Sequence, residues 1–170
     1  MNVLILNGSP RTANTSDMIK AFKNGLSKKD YKINEIQVGK LKISGCLGCE
    51  YCHGKGEGRC IQRDDMDKVM QGYLDADMIV YASPIYYFGM TAQIVSAIQR
   101  VYAIGKPPKA NKAVLLLTSG SEGVYTSAIS MYKDMINYMG ISDLGIITNA
   151  GMGKVSESKL SEIESFAENL

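Results

Sequence analysis

The sequence predicts a doubly wound α/β fold: a five-stranded parallel sheet in the order 2-1-3-4-5 with helices on both faces. Three observations predict it. Short β-branched or leucine-rich runs alternate with longer stretches of helical period, the pattern of a parallel sheet covered on both sides. Loops of small residues follow the first, third and fourth runs, so they fall at one edge of the sheet. The 170 residues, 45% of them hydrophobic, suffice for one continuous core and therefore one domain, residues 1–170.

The first strand is Val3 to Asn7, and a polar loop leads to a helix starting near Thr15 or Ser16, with Met18, Ile19, Phe22 and Leu26 on one face. Lys32 to Val38 is the second strand, followed after a Gly-rich excursion by a weaker helix over Met66 to Leu74. Met78 to Ala82 is the third, before a stripe of Met90, Ile94, Ile98, Val101 and Ile104. Val114 to Thr118 and Gly145 to Thr148 complete the sheet, with stripes at Ile129, Met135, Ile136, Met139 and at Leu160, Ile163, Phe166, Ala167, Leu170. Right-handed crossovers then give the order 2-1-3-4-5. Gly54–Gly58 and Gly105–Pro108 are surface excursions, and no repeat or linker divides the chain.

Nineteen basic and 17 acidic residues are spread evenly, and no block of one sign could track a nucleic-acid backbone. The apolar run at the N-terminus is too short for a signal peptide or a membrane span, so a cytoplasmic protein acting on small molecules is expected.

The loop Gly8-Ser9-Pro10-Arg11-Thr12-Ala13-Asn14-Thr15-Ser16 joins a strand to a helix. A helix start directs unpaired N–H groups and a partial positive charge outward, a natural seat for a phosphate. Ser9, Thr15 and Ser16 add hydroxyls, Asn14 an amide and Arg11 a guanidinium. The loop has neither G-x-G-x-x-G nor a G-K-[ST] ending, so it is neither a dinucleotide nor a nucleoside-triphosphate loop. An ordinary N-capped helix, with Thr15 or Ser16 as cap, is the plainer alternative.

Gly8-Ser9-Pro10-Arg11 followed by Asn14-Thr15 resembles the phosphate loop of the flavodoxin-like NAD(P)H-dependent FMN reductases, a family that includes iron-sulfur flavoproteins. The resemblance implies a flavodoxin-like fold and places Ser9, Arg11, Thr15 and Ser16 on the flavin phosphate. After the third strand, Pro84-Ile85-Tyr86-Tyr87-Phe88-Gly89 offers aromatic walls and backbone amides for a planar ring; in this family that segment lies along the flavin. A buried aromatic corner is the alternative. By the same resemblance Ser119, Gly120 and Gly123 border the pyrimidine end, and Tyr125 offers a hydroxyl near the substrate cleft; a flexible connection is the other reading.

Cys46, Cys49, Cys52 and Cys60 are all the cysteines of the chain. Their spacing resembles the compact motif of iron-sulfur flavoproteins and implies a [4Fe-4S] cluster, while free or redox-active thiols and a zinc site remain open. His53, the only histidine, reads as a solvated loop residue.

The expected function is FMN-dependent transfer of electrons from NAD(P)H to a small acceptor: a quinone, an azo or nitro compound, or free flavin. Nothing remains of the chain to form a dinucleotide domain, so both substrates would use one flavin face in turn, by a ping-pong route with no essential side-chain acid or base. By analogy with the family the protein is expected to be a homodimer or a dimer of dimers. The rival is an electron carrier exchanging electrons with ferredoxin through the cysteine cluster, and a third reading is a flavin-binding regulatory module.

Overall fold

The computed structural model describes residues 1–170. Strand β1 (Asn2–Asn7) leads to helix α1 (Asn14–Leu26) and strand β2 (Lys32–Ile36). Helix α2 (Met66–Asp75), strands β3 (Met78–Tyr86) and β4 (Gly89–Met90) and helix α3 (Ala92–Arg100) follow. Strand β5 (Lys112–Ser119), helix α4 (Thr126–Met139), strand β6 (Ser142–Ala150) and helix α5 (Glu157–Glu168) complete the chain. Five strands are parallel and lie in the order β2-β1-β3-β5-β6; the two-residue β4 pairs antiparallel with the end of β3. With that short strand set aside, the order is the one expected.

Strand alternation sorts the core into two layers. Leu4, Leu6, Ile79, Tyr81, Leu115 and Leu117 face α2, α3 and α4. Val3, Ile5, Val80, Ala82, Val114 and Leu116 face α1 and α5, where Met18, Phe22, Ile163 and Ala167 close over them. The central strands are buried on both faces, hence their unbroken apolar runs. Each fully buried Leu or Phe contributes about 1.5–3 kcal/mol by leaving water. No helix is long and apolar enough to cross a membrane.

Several boundaries differ from expectation. β2 stops at Ile36, and Val38 opens a short 3₁₀ turn, Val38–Lys40, that tucks Val38 into the core. β3 runs on to Tyr86, four residues past the expected end, because Ser83 and Pro84 still pair alongside Leu117 and Thr118 of β5. Met90 belongs to β4 and not to the helix whose stripe it shares, and Val101 and Ile104 lie in a 3₁₀ turn after α3. A strand ladder decides these ends, and helical period is blind to it.

Candidate functional site

The carboxyl ends of β1, β3, β5 and β6 converge on a cleft of about 190 Å³, the position where open α/β sheets bind ligands. Ser9, Arg11, Asn14, Thr15, Pro84, Ile85, Tyr86, Ser119 and Gly120 line it together. Ala13, a member of the expected loop, lines it too, as do Thr118, Gly151 and Met152, which were not singled out from sequence. A larger cavity of about 440 Å³ lies at the opposite edge, where the amino ends of β1 and β2 at Asn2 and Lys32 meet the end of α2 at Asp75.

The first loop is shaped from behind by side chains. Gly8 N–H donates to the Ala82 carbonyl at 2.8 Å, and Thr91 Oγ1 donates to the Gly8 carbonyl at 2.8 Å. Asn7 Oδ1 accepts from Ser9 N–H at 3.1 Å, while Asn7 Nδ2 donates to Gln37 Oε1 at 3.0 Å and Gln37 Nε2 donates to the Ser9 carbonyl at 2.8 Å. Gly39 lies so close against the Ser9–Pro10 backbone that a Cβ there could not fit. The loop is therefore braced before any ligand arrives.

Helix α1 starts one residue earlier than expected, at Asn14, and its N-cap is Ala13, which has no side chain to cap with. Thr15 makes no cap either: its hydroxyl is 2.8 Å from that of Thr118, with both residues buried. The backbone N–H groups of Ala13, Asn14 and Thr15 donate to nothing within the chain, and all three residues line the cleft. An uncapped helix start opening on a cleft is the arrangement that receives an anion. Ser9 uses its hydroxyl internally, donating to the Arg11 carbonyl at 2.7 Å, so it shapes the loop as well as lining the cleft.

Asn14 Nδ2 donates to the Gly153 carbonyl at 2.7 Å and so ties the loop after β6 to the start of α1. That loop brings Met152 over Gly120, where a Cβ would come within 2.8 Å of Sδ. Ser119 Oγ donates to the Ser121 carbonyl at 2.5 Å and lies 2.6 Å from the Tyr125 hydroxyl, so Tyr125 spends its hydroxyl on holding Ser119. The Arg11 guanidinium has no carboxylate partner and sits 5.8 Å from the centre of the Tyr86 ring at the rim.

Ser16, Tyr87, Phe88, Gly89 and Gly123 do not line the cleft. Tyr87 and Phe88 form the tip of the β3–β4 hairpin, where Tyr86 pairs with Gly89. Both have positive φ, 49° and 70°, and Tyr87 is 97% exposed.

All four cysteines are free thiols; Cys46 and Cys49 are exposed, Cys52 and Cys60 half-buried. Burial pushes the Cys52 thiol above its ordinary value. No three or more Cys, His, Asp or Glu side chains are gathered as a metal site. His53 is exposed in a one-turn 3₁₀ segment, Tyr51–His53, with its ring against Tyr102. The neck of this loop is pinned by Arg100, which donates to the Ser44 carbonyl at 3.0 Å and to Asp64 at 2.8 Å. A single arginine inside an apolar helix face, Ser96-Ala97-Ile98-Gln99-Arg100-Val101, is the sequence signal that could have found it.

Residues 1–150 match the family described as NADPH-dependent FMN reductase. The chain belongs to this family. Among curated relatives, it is 37% identical over 102 residues to an iron-sulfur flavoprotein of Archaeoglobus fulgidus, covering 59% of this chain and 46% of that one. It is 36% identical over 110 residues to an iron-sulfur flavoprotein of Methanocaldococcus jannaschii, covering 64% and 55%. The matches thus span about half the length of these relatives. Among solved structures, an NAD(P)H:quinone oxidoreductase from Methanothermobacter marburgensis superposes with a TM-score of 0.75 at 20% identity, covering 99% of this chain and 93% of that one, which establishes the fold of this FMN reductase family member as flavodoxin-like.

Proposed function

We propose that the cleft holds FMN and that the protein transfers electrons from NAD(P)H through it to a small acceptor such as a quinone, an azo or nitro compound, or free flavin. The observation that carries this reading is the set of free amides at Ala13, Asn14 and Thr15, at an uncapped helix start inside a cleft at the carboxyl edge of the sheet. Family membership supports the identity of the phosphate bound there.

The residues present fit the group. Helix α1 and Ser9 would seat the phosphate, the paired Thr15 and Thr118 hydroxyls offer a polar floor, and Pro84, Ile85 and Tyr86 a flat apolar wall. Bound FMN supplies hydride acceptance from the nicotinamide and its delivery to the acceptor. Arg11, unpaired at the rim, offers charge to an anionic group, and Ser119, fixed by Tyr125, presents its backbone to the ring edge. No histidine or carboxylate lines the cleft, in keeping with chemistry that uses no side-chain acid or base.

One cleft serving two substrates in turn gives ping-pong kinetics. The exposed Tyr87–Phe88 tip is where a second copy would close the rim, giving a homodimer. The test is direct: protein purified with or reconstituted by FMN should bleach on addition of NADPH or NADH, with parallel double-reciprocal lines when a quinone is varied. Intersecting lines would overturn the ping-pong route, and flavin that neither nicotinamide reduces would overturn the reductase reading.

The names of the curated relatives favour a second reading, an electron carrier with iron at Cys46, Cys49, Cys52 and Cys60 and ferredoxin as partner. Anaerobic purification separates the two readings. About four irons per chain, lost in Cys49→Ser, supports the carrier; a yellow, iron-free protein with nicotinamide oxidase activity supports the reductase.

A further inference from the structure

Away from the flavin cleft, and sharing no residue with it, a pocket of about 320 Å³ lies between the cysteine loop and helices α2 and α3. Met66, Met70 and Leu74, spaced four residues apart and so on one face of α2, give it an apolar wall. Arg59 and Arg63 from the loop and Arg100 from the end of α3 bring positive charge, with Asp67 the only acid in the lining.

The three arginines play different parts. Arg100 is only 2% exposed, and its terminal nitrogens donate to Asp64 and to the Ser44 and Gln62 carbonyls. Its Nε–H is also buried, yet no group of the chain accepts from it. Folded proteins rarely leave a buried donor unmet. Arg59 and Arg63 are exposed, make no salt bridge, and also border an adjoining groove that holds Lys55. Residues 40–63 carry Lys40, Lys42, Lys55, Arg59 and Arg63 against Glu50 and Glu57, although the whole chain is nearly balanced at +2. Two unpaired guanidinium groups, one unmet buried N–H and an apolar wall are the parts of a site for an anion with an apolar body.

We propose that this pocket binds a small organic oxyanion, with a carboxylate or phosphate head held by Arg59, Arg63 and the Arg100 Nε–H and an aliphatic or aromatic body against Met66, Met70 and Leu74. Asp64 already neutralises Arg100, so attraction at a distance comes from Arg59 and Arg63, and Arg100 supplies a fixed donor. Cys60 lines the same pocket, and this binding uses none of its chemistry. An occupant ties the returning limb of the cysteine loop to α2 and α3 and leaves the flavin cleft free.

The test is calorimetric titration of the full chain, purified anaerobically and saturated with FMN, with hexanoate, hexyl phosphate, inorganic phosphate and neutral hexanol. Hexanoate or hexyl phosphate should bind at least about tenfold tighter than inorganic phosphate and hexanol, because only these two probes use both sides of the pocket. The tighter of the two identifies the head group. Arg59→Ala with Arg63→Ala, two exposed side chains without ion-pair partners, should weaken that binding about tenfold or more and leave the melting temperature unchanged. Arg100→Lys, which keeps a charge for Asp64 but has no Nε–H, should weaken it as well, whereas Arg11→Ala in the flavin cleft should not. Failure of both organic anions to bind at millimolar concentration overturns the proposal, as does equal affinity for hexanol or for inorganic phosphate. Binding that survives the double arginine variant, or that is lost in Arg11→Ala, places the anion elsewhere and overturns it too.

Discussion

The hydroxyls of Thr15, on the first turn of α1, and Thr118, near the end of β5, meet at 2.8 Å on the floor of the cleft, with both residues buried. The contact bridges 103 residues of sequence and fixes the helix start against the sheet. Thr118→Val keeps shape and volume but leaves the Thr15 hydroxyl unpaired, at about 1–3 kcal/mol. FMN affinity, measured by quenching of flavin fluorescence on titration, should fall about tenfold, the equivalent of about 1.4 kcal/mol. Unchanged affinity would show that this pair braces the fold without serving the ligand.

The Asp64–Arg100 pair, with side chains 14% and 2% exposed, closes the neck of the cysteine loop. Burial by itself would raise the Asp64 carboxyl, but the Arg100 hydrogen bond and the Ser44 and Met66 amides outweigh it and hold it below its ordinary 3.8. A carboxyl depressed in the fold contributes stability that is present above its unfolded pKa and is lost as pH falls through the folded value. Asp64→Asn should therefore lower the melting temperature at neutral pH, by the equivalent of about 3–5 kcal/mol since a buried guanidinium loses its counter-charge. The deficit against the parent should shrink below about pH 4. Thermal unfolding of both proteins across that pH range checks the prediction; a constant deficit would contradict it.

Asn14 ties the start of α1 to the Gly153 carbonyl and so holds Met152 over Gly120. A hydrogen bond of this kind is worth about 0.5–1.5 kcal/mol. Asn14→Ala should quicken release of FMN by about tenfold at most and expose Lys154 to trypsin sooner, with little change in melting temperature. Stopped-flow release and timed digestion measure the two effects separately.

The strands and the first loop were legible because they follow local rules: apolar runs for buried parallel strands, and a polar strand-to-helix connection for an anion seat. The missed residues are those whose roles come from distant neighbours. Thr118 matters through Thr15, Gly39 through the Ser9 backbone and Arg100 through Asp64, each a contact across at least 28 residues that no spacing rule encodes. Met152 follows β6 in a loop with no apolar or polar pattern of its own. The cysteines are close in sequence, and in the fold Cys46 and Cys49 lie at the surface while Cys60 lines a pocket with Arg100.

The hairpin tip Tyr87-Phe88 joins β3 to β4 in a two-residue turn with both φ angles positive, the conformation for which Asn-Gly is the ordinary sequence. Bulky side chains there cost about 1–2 kcal/mol each, because Cβ crowds the following carbonyl oxygen. The tip also leaves an aromatic side chain 97% exposed, which does nothing for the core. Sequence that is unfavourable both locally and in solvent is retained where a ligand or partner uses it. Replacing Tyr87-Phe88 by Asn-Gly should raise the melting temperature of the apoprotein. In the same variant nicotinamide oxidation should fall, with kcat/KM reduced more than FMN affinity, since the phosphate seat at α1 is untouched. A variant that is both more stable and fully active would show that the aromatic tip serves neither substrate nor subunit contact.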